Sequence, residues 1–193
     1  MREEILQGNK FLAKRDVFAI GGAFRIMTPE GGLLLYSRQK LFRLKEDIRV
    51  YADLEMTQEV LHIQARQILD FSAAYDVIDS QTKERIGVLR RKGFRSIFRD
   101  KWEMLDRAEN YLARIEEDSM LKAMIRRWAF NLLPQTYSIV DNNEKRLGEI
   151  KQLFNLFIHK FSIDFSSDLE NKLDRRLGLA AVILLLAIEG RQR

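Results

Sequence analysis

Few residues of this chain have the types and spacing that catalysis requires. Its 193 residues include no cysteine and two histidines, His62 and His159, which lie far apart in the sequence. Without cysteine the chain has no thiolate nucleophile, disulfide or thiolate metal site. Lone histidines in strand-like settings are usually structural, and no phosphate-binding loop, nucleophile elbow or HExxH pattern occurs. We therefore predict no catalytic residue, no metal site, no cofactor and no enzymatic activity.

Positive charge is the stronger chemical signal. The chain carries 33 basic and 28 acidic side chains, a formal net charge of +5. Two segments concentrate basic residues, and their members are the candidate lipid- or anion-binding residues: Arg90, Arg91, Lys92, Arg95, Arg99, Lys101, Arg126 and Arg127. If residues 94–102 are extended, alternation puts basic side chains on one face and aromatic side chains on the other.

Such a basic surface has three interpretations. It can bind the anionic phospholipids of a membrane, where each basic group contributes about 1 kcal/mol. It can bind the phosphates of nucleic acid, as in a transcription-associated module. It can also be a solvated strand face whose arginines prevent association of sheet edges. We predict anionic phospholipid as the partner and keep nucleic acid as the alternative.

Four aspartates recur at predicted strand ends, namely Asp76, Asp79, Asp106 and Asp141. A carboxylate at such a position accepts hydrogen bonds from backbone amides a few residues later and so stabilises a turn. We therefore predict that these aspartates form turns and do not bind a ligand.

Most of the chain before residue 165 has the alternation and turn residues of short strands. Predicted hairpins begin near residues 24, 48, 75, 102 and 137, and single strands at 11–20 and 161–164 bring the number of strands to twelve. The hairpins that begin at Tyr75 and Tyr137 have glycine, Gly87 and Gly148, at nearly matching places. This similarity predicts a structural repeat.

Two segments are predicted to be helical. Apolar residues spaced by three and four predict an amphipathic helix over 119–133, which Pro134 ends. A capping-box pattern, Ser167 followed by Glu170, predicts a second helix over 168–189. Its apolar run, 177–188, is shorter than the roughly 20 residues that span a bilayer, so we expect it to be enclosed by protein.

Together these elements predict a mainly β fold. Closing twelve antiparallel strands into a barrel removes the exposed edges, and the interior of such a barrel is wide enough to hold a helix. We predict a single domain over residues 1–193. In it, strands within 11–165 form a closed twelve-stranded barrel around the hydrophobic C-terminal helix.

Several motifs resemble a known family. Residues 11–15 (FLAKR) and 18–26 (FAIGGAFRI) resemble the opening of bacterial LURP-one-related proteins, and 39–42 and 91–94 resemble strand ends of that family. The C-terminal segment 173–190 is similar to the closing helix of LURP-one-related proteins and phospholipid scramblases. The chain thus resembles the LURP-one-related, scramblase-like branch of the tubby C-terminal-like superfamily. This implies a twelve-stranded barrel threaded by a hydrophobic helix, and no catalytic residues.

The resemblance implies a non-enzymatic binding module that engages anionic phospholipid head groups. A second alternative is a scramblase-like membrane protein whose C-terminal helix is inserted in the bilayer. The absence of cysteine excludes the palmitoylation found in animal scramblases. Since the charged start of the chain does not resemble a signal peptide, we expect a cytoplasmic protein, peripheral at the inner face of the membrane.

Overall fold

The computed structural model of the protein describes residues 5, 7–16, 22–38, 47–66, 73–92, 101–117, 136–153 and 159–189. Within these residues lie twelve strands and the C-terminal helix: β1 (Lys10–Asp16), β2 (Ala23–Met27), β3 (Leu33–Arg38), β4 (Asp47–Tyr51), β5 (Glu59–Ala65), β6 (Ala74–Asp79), β7 (Arg85–Lys92), β8 (Lys101–Asp106), β9 (Tyr111–Glu117), β10 (Thr136–Val140), β11 (Arg146–Leu153), β12 (His159–Asp164) and α1 (Arg175–Glu189). The predicted helix over 119–133 lies outside the described residues.

The strands form the predicted closed antiparallel barrel. Each strand pairs with its neighbours in the chain, and β1 pairs with β12 to close the ring. Alternate residues point inward, as in β6, where Tyr75 and Val77 are buried between partly exposed neighbours. The interior holds α1, whose residues 177–187 are all buried. An α-helix that is apolar on all sides needs such an enclosure.

The five hairpins share one local plan, which confirms the predicted structural repeat. The first loop residue accepts a backbone amide with its side chain; these residues are Thr28, Asp53, Asp79, Asp106 and Asp141. A later loop residue has a positive φ; these are Gly31, Met56, Lys83, Glu109 and Glu144. The returning strand then carries one extra, apolar residue; these are Leu34, Val60, Ile86, Leu112 and Leu147. Such bulges increase the local twist that a closed barrel requires.

All five of these hairpin turns lie at one end of the barrel, which we call the turn end. The turns occupy residues 28–32, 53–57, 79–84, 106–110 and 141–145. The last strand also finishes there, because β12 runs antiparallel to β11 and ends at Asp164. Helix α1 therefore enters the barrel from the turn end.

The predicted start of this helix at Asp168 is wrong, since α1 begins at Arg175. Asp168 instead begins another turn, in which its carboxylate accepts the backbone amides of Lys172 and Leu173. The positive φ of Asn171 interrupts any helix in this segment. Asp174 is the residue that caps α1, because its carboxylate accepts the amide of Arg176.

The helix lies closest to β7, where the inward residue after the bulge is a glycine. The inward residue after each bulge is Leu35, Leu61, Gly87, Ala113 or Gly148 along the chain. Helix α1 packs against β7 at Gly87. A Cβ atom at Gly87 would lie 2.8 Å from Cδ2 of Leu177 in α1 and 2.5 Å from the backbone oxygen of Leu105.

Replacing Gly87 with alanine is expected to destabilise the barrel by about 2–3 kcal/mol, because the added methyl group must displace backbone or helix. The free energy of unfolding from urea titrations measures this. Gly32→Ala is the matched control: a Cβ there would meet only the Thr28 side chain, 3.3 Å from its Oγ1. Equal unfolding free energies for the two variants would contradict the close packing of α1 on β7.

Candidate anion-binding face

Arg90 is the predicted site residue whose surroundings are best defined. It lies on the outer face of β7, because it alternates with the buried Leu89. Its guanidinium donates to Oε2 of Glu103 on β8 at 2.7 and 3.0 Å. The Glu103 side chain is only 10% exposed, so water competes little with this ion pair between β7 and β8. The charge of Arg90 is therefore already compensated within the barrel.

The neighbouring candidates are spread over both faces of the sheet. Arg91 lies opposite Trp102, a buried inward residue, and its charge acts on Tyr75 in the interior. Burial raises the pKa of Tyr75, and the nearby Arg91 opposes that rise. Lys92 and Lys101 lie opposite each other at the ends of β7 and β8. The other four candidates, Arg95, Arg99, Arg126 and Arg127, lie outside the described residues.

A different basic surface forms where the barrel closes. Lys160 of β12 lies directly opposite Lys14 of β1, and Lys14 lies opposite Arg25 of β2. The same row continues to Tyr36 of β3 and Tyr51 of β4. Three positively charged residues thus occupy adjacent positions on three neighbouring strands. The closure of the barrel therefore concentrates positive charge on one part of its outer surface.

Two further basic residues flank this row, and the five together are here called the outer basic face: Lys14, Arg25, Arg38, Lys151 and Lys160. Arg38 and Lys151 are exposed, and the three members of the row are half-buried. Apolar side chains lie next to these charges. Leu12 of β1 and Met27 of β2 are both half-buried and are paired directly opposite each other. The surface therefore combines positive charge with apolar contact area.

Among the described residues, no salt bridge joins Arg38, Lys151 or Lys160 to a carboxylate. The guanidinium of Arg25 lies 5.9 Å from the centre of the Tyr36 ring, which is a cation–π contact.

Elsewhere on the barrel, basic side chains are paired with acids. Arg66 donates to Asp76 and Glu109, and Arg85 contacts the same two carboxylates. Burial alone would raise the pKa of Asp76, but the hydrogen bonds and charges of the two arginines outweigh it and hold that pKa below its usual value.

The predicted turn role of Asp76 is wrong. This residue lies inside β6, and its carboxylate bridges Arg66 and Arg85 instead of accepting the amides of a turn. The same role is confirmed for Asp79, Asp106 and Asp141.

Sequence reasoning missed the outer basic face because its members are dispersed. Lys14, Arg25 and Lys160 each stand as a basic residue within a separate strand, and Lys160 comes from the opposite end of the chain. The available signal was the closure itself. A barrel that pairs its first and last strands must place their central residues side by side.

A family model described as LURP-one-related matches residues 33–186. The chain belongs to the LURP-one-related family. A crystal structure of an Arabidopsis thaliana protein shares the fold of this LURP-one-related chain, with a TM-score of 0.54 and 9% identity over 95% of this chain and 93% of that one. No curated protein sequence matches the chain significantly.

The described part of this LURP-one-related barrel contains no group of three or more histidine, aspartate or glutamate side chains placed to hold a metal ion. It also contains no helix with the length and apolar character needed to cross a membrane.

Proposed function

We propose that this LURP-one-related chain is a non-enzymatic binding module that engages anionic phospholipid head groups through the outer basic face. The row Lys160, Lys14 and Arg25 carries the proposal. Three cations on adjacent strands create a positive potential that phosphate groups neutralise. We place the module at the cytoplasmic surface of a membrane, bound peripherally.

Apolar and aromatic side chains support a membrane rather than a soluble anion as the partner. The half-buried Leu12, Met27 and Leu153 lie on the same outer surface as the basic row. Tyr36 and Tyr51 extend the row on its other side. Basic groups bind the head groups while apolar side chains enter the boundary with the acyl chains, as in other peripheral membrane proteins.

The Arg90–Lys101 stretch is a second candidate surface for the same function. Because Glu103 already compensates Arg90, we propose that this stretch contributes less to membrane binding than the outer basic face. Variants of Arg90 should therefore lower binding less than variants of Lys160.

The triple variant Lys14→Gln, Arg25→Gln and Lys160→Gln is expected to weaken binding to phosphatidylserine-containing vesicles. Each basic group near an anionic surface contributes about 1 kcal/mol, so the loss of three is about 3 kcal/mol, or roughly a hundred-fold in affinity. Sedimentation with vesicles of phosphatidylcholine, with and without phosphatidylserine, measures the effect.

A matched control removes the same number of charges at the turn end. Lys83→Gln, Lys145→Gln and Arg146→Gln change two exposed loop residues and the exposed first residue of β11. Equal loss of binding in both triples would show that only net charge matters and would refute the assigned face. Equal, negligible sedimentation of the native protein with both vesicle types would refute the membrane function itself. A steeply salt-dependent affinity for DNA or RNA in that case would favour the nucleic acid alternative.

A further inference from the structure

The five cations of the outer basic face lie one to a strand on five adjacent strands. In order around the barrel, from β11 through β12, β1 and β2 to β3, they are Lys151, Lys160, Lys14, Arg25 and Arg38. The middle three are paired directly in one row, and the outer two lie two residues away from that row along their strands. The charges thus form a line across the sheet and not a cluster around one point.

The wall that carries this line is convex. In a closed barrel of twelve tilted strands, outward side chains on neighbouring strands diverge by roughly 20–30°. The Cβ atoms of directly opposite residues are about 5 Å apart, and the divergence widens the distance between the ends of the side chains. Donors that point apart in this way do not enclose a single phosphate group.

Among the described residues, the side chains beside the line are mostly apolar. Leu153 lies in the row itself, and Leu12 and Met27 lie on its turn-end side. The hydroxyl of Ser162 donates to the backbone carbonyl of Lys151 at 3.4 Å. Selection of one head group depends on hydrogen bonds to its own polar groups, which apolar neighbours do not supply. The surroundings therefore suit attraction by charge and not recognition of a particular head group.

We propose that the outer basic face binds several singly charged phospholipids at once and does not select a single polyphosphorylated head group. This inference rests on the proposed function and names the lipid class that its site takes. Singly charged lipids such as phosphatidylserine are spread over the bilayer surface, so they can meet cations that are spread along a convex wall. The affinity then follows the surface charge of the bilayer and not the identity of the head group.

Vesicles of matched surface charge test the lipid class. Phosphatidylcholine vesicles carry either about 20% phosphatidylserine or about 5% phosphatidylinositol bisphosphate, whose head group bears roughly four negative charges. The two affinities, measured by sedimentation of the native protein, should agree to within about five-fold, because binding depends on surface charge. A larger preference for the polyphosphorylated lipid would overturn the proposal.

The dependence on lipid density tests whether several lipids bind together. If one lipid filled the site, doubling the fraction of phosphatidylserine would at most double the affinity. Simultaneous binding of several lipids should give a steeper rise, on the order of five-fold. Inositol trisphosphate should displace the protein no better than sulfate at the same ionic strength, since one soluble head group meets only part of the line. A merely proportional rise, or specific displacement by inositol trisphosphate, would contradict binding of several lipids.

Single substitutions along the line test whether the cations act independently. Lys151→Gln, Lys160→Gln and Arg38→Gln should each lower the affinity for phosphatidylserine vesicles by about two- to five-fold, because each removes one charge. Lys160→Arg keeps the charge and should bind like the native protein. Lys83→Gln, which changes an exposed residue at the turn end, is the matched control and should bind like the native protein too. Loss of binding in one line variant, with the other two unaffected, would indicate a pocket around that residue and refute the assignment.

Sedimentation also separates the lipid class from the membrane function itself. Protein that binds every anionic vesicle type but clearly prefers the polyphosphorylated lipid would overturn the lipid class alone and leave the proposed function standing. Protein that sediments with no anionic vesicle would overturn the proposed function, and the lipid class with it.

Discussion

Leu184→Asp is expected to prevent this LURP-one-related barrel from folding. Leu184 is 1% exposed in α1, and the residues on both sides of it in the helix are apolar and buried. An isolated carboxylate in such surroundings costs several kcal/mol or is forced to take up a proton. That cost is a large part of the roughly 5–15 kcal/mol that stabilises a typical domain. Circular dichroism, thermal melting and soluble yield measure the outcome.

The same substitution at an exposed leucine is the control. Leu169 lies in the turn before α1 and is 82% exposed, so Leu169→Asp should leave the melting temperature nearly unchanged. Leu184→Met keeps the volume and apolar character of the side chain and should also fold, with a cost of less than about 1.5 kcal/mol. A cooperative thermal transition of Leu184→Asp close to that of Leu169→Asp would refute the enclosed position of the helix.

The barrel itself was predictable because its signals are local. Strand alternation, turn residues and an all-apolar C-terminal segment are each visible in a short window of sequence. The turn role of Asp79, Asp106 and Asp141 was predictable for the same reason, since a carboxylate binds amides within four residues of itself. A barrel closed around the helix meets both requirements of such a sequence, because closure removes exposed sheet edges and the interior encloses the apolar helix.

The start of α1 was not predictable from the same kind of signal. Ser167 and Glu170 form a capping-box pattern, yet two later features overrule it. Asn171 adopts a positive φ, and Asp168 forms a buried ion pair with Arg175. That ion pair depends on the helix being docked at the turn end of the barrel. A contact that forms only in the folded barrel therefore selects Arg175 over Asp168 as the start of the helix, whereas the sequence signals do not distinguish the two.

The candidate binding face shows the same limit. The sequence displays a run of charge such as Arg90–Lys101 directly, but the register decides which charges are available. Glu103 neutralises Arg90 because β7 and β8 align those two residues. Lys14 and Lys160 become neighbours only because β1 pairs with β12. Closure of the ring could be predicted from the number of strands, whereas the residue-by-residue register could not.

Loss of the Arg175 side chain should destabilise the barrel nearly as strongly as the helix substitution. Arg175 is 3% exposed, and its guanidinium donates to Asp168 at 2.7 Å and to Asn9 at 2.8 Å. It also lies 5.3 Å from the centre of the Phe165 ring. These contacts join the N-terminal segment, the last turn and the first turn of α1. Arg175→Met leaves the buried Asp168 carboxylate without its cation, which costs about 3–5 kcal/mol. Chemical denaturation measures this loss.

A double-mutant cycle separates the lost ion pair from lost packing. Asp168→Asn removes the charge but keeps an oxygen that can accept the amides of Lys172 or Leu173. If the uncompensated carboxylate is the main cost, Arg175→Met combined with Asp168→Asn should be clearly more stable than the sum of the two single losses predicts. Lys145→Met, which breaks the exposed pair with Glu170 at the same end of the barrel, should change stability within experimental error. Additive losses in the cycle, or an Arg175→Met variant as stable as Lys145→Met, would show that packing rather than the buried ion pair holds the helix entrance closed.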